Sequence, residues 1–534
     1  MLQTFKHASI EALAEIGEEK KIRKTEELFL LFSMGSQFDH LIKQKLDAFG
    51  VFCLVADPAS VTARDVKQLQ PTGIILSGGP ASAYEQPPFD GGIFDLGIPT
   101  LGICLGFQMW AHHLGVTVRL ADKREFGTHE FRLKARHPLF SGWPAASPVL
   151  ESHGDRIEPD DKLQILGETA NAPAAAACCR HLYGVQFHPE VTETEFGALL
   201  LENFCFNICG ARDRFPAAAV ADQKIGQLRR QIGNQKVLLA LSGGSDSSVV
   251  AYLLKAALAG GNGEPQTLGV YIKGIDRPDD EANVLKYFGG QDWIKIKIID
   301  ATAEFLAALK GQTNMKDKRL AMRGIYKALL EREAAAFGAS FIAQGTLYTD
   351  ISESGGGYDS GAKKAQIKIH HNVNLGFSLP ELQPLMDCVK DTGRQLGRTL
   401  GVPETLLVRH PFPGPGLIVR VEGEVTAQKL AIARRVDEIY IAELRNWALY
   451  ETVWQAGGVV TTSLTTCTKG DDAAEGCVVA LWAVWSVNGF TARAAELPYG
   501  FLKHVSQRIT NEIREVGGVV YRVSDKPPVT IEWG

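Results

Sequence analysis

The sequence predicts an α/β protein in which two doubly wound parallel-sheet domains precede a smaller α+β domain, and three patterns carry that expectation. From residue 27 to about Gly210, short apolar runs (FLLF, GIILSGG, PTLGICLG, LYGVQFH) alternate with helical stretches such as DHLIKQKLDAFG, as buried parallel strands wrapped by helices do. A second strand, helix, strand alternation opens with KVLLALSGGSDSSVVAYLLKAAL and runs on through TLGVYIKG and SFIAQGT. Around HPFPGPG the proline and glycine density rises; beyond it come a long helix, EVTAQKLAIARRVDEIYIAELRNW, and later strand-like runs.

At 534 residues the chain exceeds what one hydrophobic core usually supports. Residues 1–24 read as a charged amphipathic helix or partly ordered extension ahead of the strand-like run Glu27 to Phe32. The first domain is placed at residues 25–210. The weakly patterned segment CGARDRFPAAAVADQK, which precedes a helix with apolar spacing at Ile225, Leu228 and Ile232, marks a boundary near Ala211. The second domain then spans 211–411 and the third 412–534.

Composition narrows the function classes. With 45% apolar residues, 22% charged residues and a net charge of -5 without long blocks of like charge, nothing points to nucleic acid or membrane as a partner. Nine scattered cysteines with no repeated C-x-x-C spacing fit reduced thiols in a cytoplasmic setting. The opening MLQTFKHASIEALAEIGEEKKIRK has charges where a signal peptide would need its apolar stretch, and no later run approaches transmembrane length.

In PTLGICLGFQMWAHHLG an apolar strand runs into Gly-Ile-Cys-Leu-Gly and then a helix. Glycines two positions either side of Cys104 suit a tight strand-to-helix elbow, which sets the sulfur at a helix N-terminus whose dipole favours thiolate. Downstream, LYGVQFHPE is expected to place His188 and Glu190 on one face of an extended segment, where the carboxylate orients the imidazole that shuttles the cysteine's proton. The glycines of ILSGGP, Gly78 and Gly79, end another strand; their backbone N–H groups are candidates for an oxyanion hole with the N–H of Leu105. These elements, G-x-C-x-G, SGGP and G-V-Q-F-H-P-E, resemble the signatures of class I glutamine amidotransferases. The likeness extends to Gln108 and to Ser152, His153, Gly154 and Asp155, which it implies help seat glutamine. It departs at Ser33, where relatives usually carry an aspartate.

KVLLALSGGSDSSVV is a strand, a loop of small residues and a helix start, a nest for phosphate oxygens. It lacks the spacing and lysine of a Walker A motif, and Ser247 stands where the last glycine of a G-x-S-x-G elbow would be. Ser242, Gly243, Gly244, Ser245, Asp246, Ser247 and Ser248 resemble the PP-loop of ATP pyrophosphatases, of the adenine-nucleotide α-hydrolase-like fold. The resemblance implies that they bind ATP, with Asp246 holding Mg²⁺. Relatives usually have valine at the position of Ser245. IAQGTLYTDISES is similar to a further element of that family, which adds Gln344, Gly345 and Thr346; KIHHN, with His370 and His371, is similar to its lid; Lys390 matches a lysine that reaches the pyrophosphate.

RHPFPGPGL and the closing SDKPPVTIEW are similar to signatures of GMP synthetases. The resemblance implies an XMP site drawn from Arg409, Pro415, Gly416, Lys526, Thr530, Ile531 and Glu532, and a homodimer through the C-terminal domain. Three departures accompany it. TTSLTTCTKGDDAAEG keeps Gly470 and Asp471 but lacks the family's arginines, Trp482 replaces the arginine of L-R-A-V, and YIKG replaces the V-D-N-G that helps frame ATP. The whole implies a carbon–nitrogen ligase taking glutamine, ATP and XMP as substrates. Two other readings stay open at this stage: a related enzyme that aminates a different oxo-heterocycle, and a non-catalytic nucleotide-binding paralogue.

Overall fold

A computed structural model describes residues 4–36, 38–85, 87–259, 264–347, 375–388, 390–469, 472–486, 492–526 and 529–534. The lid residues His370 and His371, the end of the IAQGTLYTDISES element, and Gly470 and Asp471 lie outside the described residues. Packing divides the described residues into two compact units, Met1–Gln223 and the chain from Lys224 onward.

The first unit is built on strands β1 (Phe29–Phe32), β2 (Cys53–Ala56), β3 (Gly73–Leu76), β4 (Thr100–Ile103), β5 (Val118–Leu133), β6 (Ala146–Ile157), β7 (Gln164–Glu168), β8 (Ala176–Cys179) and β9 (Leu182–Val185), in the order β2-β1-β3-β4-β9-β8-β7-β5-β6. From β2 to β9 the pairing is parallel. These strands are short and apolar because both of their faces are covered; every residue of β1, β3 and β4 is buried. Beyond β9 the sheet continues with antiparallel pairs, ending in the long β5–β6 hairpin, so it is mixed rather than purely parallel.

The N-terminal extension packs against the first sheet. Ser9 caps the helix Ile10–Arg23 by accepting from the Ala12 amide. Phe5 pairs with the free edge of β2, donating to Val55 O at 2.8 Å and accepting from the Asp57 amide at 2.9 Å. Arg23 closes the arrangement, its guanidinium 4.4 Å from the Phe52 ring centre and 5.5 Å from that of Phe215.

The second unit holds five parallel strands, β10 (Val237–Ala240), β11 (Thr267–Lys273), β12 (Ile294–Asp300), β13 (Phe341–Ala343) and β14 (Glu381–Leu382), in the order β12-β11-β10-β13-β14. A second sheet comprises β15 (Gln455–Lys469), β16 (Asp472–Trp485), β17 (Arg493–Ala494) and β18 (Val516–Tyr521). β15 and β16 form an antiparallel hairpin, and β18 runs parallel to β16. One continuous apolar core joins the two sheets: Leu238 and Ile342 of the first sheet with Val460, Val479 and Leu481 of the second through the helix Ala427–Asn446. No described helix is long and apolar enough to cross a membrane.

Candidate active sites

Strand β4 delivers Cys104 with φ 50° and ψ -107°, a left-handed conformation that a non-glycine residue adopts only when its surroundings impose it. The flanking glycines allow the bend. A Cβ on Gly102 would lie 2.4 Å from the Gly106 carbonyl carbon and the Phe107 amide nitrogen, and one on Gly106 would lie 2.6 Å from Leu76. Cys104 immediately precedes the helix Leu105–His113, with Sγ 3.6 Å from the Gln186 amide nitrogen and 3.9 Å from the Ser152 carbonyl oxygen.

His188 meets this thiol. Its Nδ1 is 2.7 Å from Glu190 Oε1, and the ring interacts electrostatically with the Cys104 side chain. Burial works to neutralise the imidazole, but the Glu190 carboxylate and the thiol outweigh it and hold His188 well above the usual histidine range. The extended segment expected at 188–190 is corrected: β9 ends at Val185, and His188 and Glu190 stand on an irregular turn containing Pro189. The turn is pinned by the His188 amide to Leu150 O and by Thr194 Oγ1 donating to His188 O. The two side chains meet because of that turn, not because they share a strand face.

Gly78 and Gly79 abut the same centre. A Cβ on Gly78 would fall 2.9 Å from His188 Cε1 and 3.5 Å from Cys104 Cβ; one on Gly79 would fall 2.8 Å from Leu105 Cδ2. Gln108 donates to Asp155 O and Gln186 Oε1, so its amide braces β6 rather than pointing outward. Asp155 accepts from Ser82 Oγ at 2.6 Å, and His153 Nδ1 donates to Asp155 O at 2.8 Å. Gln186, Ser82 and Glu125 belong to this neighbourhood, and sequence reasoning passed over them; Gln186 lay within the quoted G-V-Q-F-H-P-E string. The departure at Ser33 also resolves, for its hydroxyl donates to Asp39, which restores a buried carboxylate from six residues further along.

In the second unit β10 leads into Ser242-Gly243-Gly244, with Gly243 at φ 72°, and into the helix Ser245–Ala257. The loop's own serines fold it: Ser247 Oγ accepts from the Ser242 amide, and Ser248 Oγ donates to Gly244 O at 2.8 Å. Gly345 packs so closely that a Cβ there would lie 2.8 Å from the Ser247 amide nitrogen. Lys390 reaches back from its own helix; Nζ donates to Asp246 Oδ2 at 2.7 Å and to Ser245 Oγ at 2.6 Å. The unexplained polar residue at 245 therefore has a partner that valine could not offer.

A cavity of about 310 Å³ opens over the loop. Of the expected nucleotide and acceptor residues, Ser242, Gly244, Ser245, Asp246, Ser247, Gln344, Gly345, Lys390, Pro415, Gly416, Lys526, Ile531 and Glu532 line it, whereas Gly243, Ser248, Thr346, Arg409 and Thr530 do not. Arg409 is instead spent on the loop: Nη1 donates to Gly243 O at 2.9 Å, and Nη2 pairs with Asp279 and Asp280 at 2.8 and 2.7 Å. Thr530 donates to Glu532 O within its own segment. Tyr271, from the altered YIKG stretch, lines the cavity with its hydroxyl donating to Asp276.

The C-terminal departures are also re-read. Arg420, 1% exposed, pairs with Asp437 and Glu532, and Glu532 Oε1 also accepts from Gln455 at 2.7 Å. Trp482 is fully buried between the guanidinium groups of Arg420, 5.6 Å from the ring centre, and Arg522, at 5.3 Å. Guanidinium is thus present around this position although the expected arginine is not, and an indole packs where another cation would be repelled.

Comparison with known proteins gives the family. The glutamine amidotransferase class-I family model matches residues 30–208, the NAD synthase model residues 219–332, and the GMP synthase C-terminal domain model residues 442–533. The chain is 40% identical over 521 residues to the glutamine-hydrolysing GMP synthase of Caldicellulosiruptor saccharolyticus, covering 95% of this chain and 99% of that one. It is also 40% identical to those of Thermomicrobium roseum (94% and 96% covered) and Aquifex aeolicus (94% and 99% covered). With relatives 40% identical and matched along nearly their whole length, this chain belongs to the family of glutamine-hydrolysing GMP synthases.

Proposed function

We propose that the chain makes GMP from XMP, ATP and glutamine, releasing glutamate, AMP and pyrophosphate. The observation that carries the reading is the coexistence of the Cys104–His188–Glu190 array with a serine–glycine loop opening on a cavity lined also by Lys526, Ile531 and Glu532.

Glutamine binds beside Cys104, whose thiolate attacks the side-chain amide carbon while backbone N–H groups of Gly79 and Leu105 take the developing oxyanion. The C–N bond breaks as His188 gives its proton to the departing nitrogen, Glu190 holding the ring in place and favouring its charged form. Water then cleaves the thioester to glutamate and free thiol. In the second unit Ser242 through Ser248 cradle the phosphates of ATP, and Lys390 faces the pyrophosphate. The C2 oxygen of XMP attacks the α-phosphorus, pyrophosphate leaves, and ammonia displaces AMP from C2 to give GMP. Lys526 meets the XMP phosphate. Asp246 presents a carboxylate beside the serine hydroxyls, a hard oxygen donor set that suits Mg²⁺, so Asp246 would hold the ion. Mg²⁺ bound there supplies positive charge that stabilises the departing pyrophosphate. A homodimer through the C-terminal segment and a cytoplasmic site of action are part of the same proposal.

The test is formation of GMP, AMP and glutamate in equal amounts from XMP, ATP, Mg²⁺ and glutamine with purified protein. Trp482 in place of an arginine favours one second reading, amination of a different oxo-heterocycle; AMP release with another acceptor and none with XMP would replace the first reading by that one.

A further inference from the structure

Across the β5–β6 hairpin Glu125 is paired directly with His153, and Glu151 lies two residues before His153 on β6. The period of two along a strand turns all three side chains to one face. Their ligand atoms lie within 4.8 Å of one another, and Glu125, Glu151 and His153 are all buried, at 0%, 0% and 4% exposure.

The three groups are unequally provided for. Glu125 Oε1 accepts from the Asn171 amide and side chain, and its Oε2 accepts from Thr169. His153 Nδ1 is used on Asp155 O, a carbonyl that only accepts, so that nitrogen carries a proton and Nε2 is turned toward the carboxylates. Nε2 stands 3.2 Å from Glu125 Oε2 and 3.2 Å from Glu151 Oε2, and it is engaged with Glu125. Glu151 makes no hydrogen bond with either oxygen. Two buried carboxylates that face one shared imidazole are costly to desolvate.

We propose that Glu125, Glu151 and His153 form a binding site for a divalent transition-metal cation of the zinc class. Geometry carries the assignment, because ligands about 2.0 Å from a tetrahedral ion stand about 3.3 Å apart, and Nε2 is 3.2 Å from an oxygen of each glutamate. A Nδ1–H bound to a backbone carbonyl is the outer-shell support that orients a metal-binding histidine. One imidazole with two carboxylates selects zinc-class ions over magnesium or calcium, which prefer all-oxygen sets. The site adjoins the amidase centre through Ser152, whose carbonyl faces Cys104 Sγ.

The experiment uses the full chain in a Cys104→Ser background, so that the active-site thiol does not compete, and Co²⁺ alone as the probe. Equilibrium dialysis is expected to retain one equivalent, with the comparatively intense visible d–d bands of a tetrahedral ion and no sulfur-to-cobalt charge-transfer band, and Co²⁺ should raise the thermal midpoint. The isosteric Glu151→Gln should weaken binding by about tenfold or more and abolish the thermal shift, and His153→Gln should do the same, with circular dichroism establishing that each variant is folded. No retained Co²⁺, a sulfur charge-transfer band, or equal retention by Glu151→Gln would each overturn the assignment.

Discussion

The Ser245 hydroxyl accepts a hydrogen bond from Lys390 Nζ at 2.6 Å and stands 3.1 Å from Asp246 Oδ1, tying a loop residue and a residue 145 positions later into one cluster. It gives the ammonium a neutral acceptor in addition to the Asp246 carboxylate, so Lys390 keeps its place when that carboxylate turns to a cation. Replacing Ser245 with valine, the residue usual among relatives, removes this support. A hydrogen bond to a charged group contributes roughly 1.5–3 kcal/mol, so kcat for AMP formation is expected to fall about tenfold, glutaminase activity is expected to be unchanged, and Ser245→Thr should retain most of the rate. Steady-state assays of the two half-reactions check this.

The pH response of the amidase follows from His188. Its folded value lies well above the usual one, so the proton-donating imidazolium persists as pH rises past about 6.5, the ordinary histidine value, and is lost only when the raised value is passed. Glu190→Gln removes the leading cause of that rise. The alkaline limb of glutamate release should then move to lower pH, with kcat lower by about 10²-fold. An unmoved limb would exclude Glu190 as the source of the shift.

Cys104→Ala separates the two chemistries. Glutamine-dependent synthesis should vanish, while synthesis supplied with ammonia persists at a rate near that of the unaltered protein. Loss of both activities would mean that the thiol also serves the second unit.

Two glycines near the thiol should fail differently. At Gly102 an added methyl would meet backbone atoms of Gly106 and Phe107 at 2.4 Å, which cannot yield without moving the helix. Gly102→Ala should therefore lower stability by about 1–3 kcal/mol or more. At Gly78 the methyl meets the edge of the His188 ring at 2.9 Å. Gly78→Ala should leave the thermal midpoint nearly unchanged and depress glutaminase activity.

Trp482→Arg would restore the residue common among relatives and is expected to destabilise this protein. It sets a third guanidinium beside Arg420 and Arg522 in a fully buried position, where an unpaired charge costs several kcal/mol. Pairing it with Arg522→Asp should recover much of the loss. Chemical denaturation of the single and double variants measures the coupling.

The elements that hold the chemistry were legible because backbone demands write themselves into local sequence. The glycines around Cys104 and in the SGG loop mark sharp bends beside strands, and apolar runs mark β1, β3, β4 and β10. Other features were not, because their partners are remote or because the local reading misled. His188 and Glu190 were expected on a strand, yet they meet across a proline turn held by Leu150 and Thr194. Arg409 read as an acceptor contact; it is consumed by Gly243, Asp279 and Asp280. The Ser33–Asp39 bond exchanges a carboxylate between two positions of the chain and looks like a loss when only one is read.

By itself the sequence determined the fold class and singled out the candidate nucleophile, its candidate imidazole and carboxylate, and the candidate phosphate loop, because each was marked by a short stretch whose conformational and chemical needs are local. Only the tertiary structure decided which polar groups are already hydrogen-bonded to protein partners and which are buried without such a bond: Glu532 to Arg420, Gln108 to Asp155, Ser245 to Lys390, and Glu151 to no hydrogen bond. The reason is that satisfaction of a buried charge or amide depends on every chain segment packed around it, and those segments come from positions that carry no mark of their neighbours.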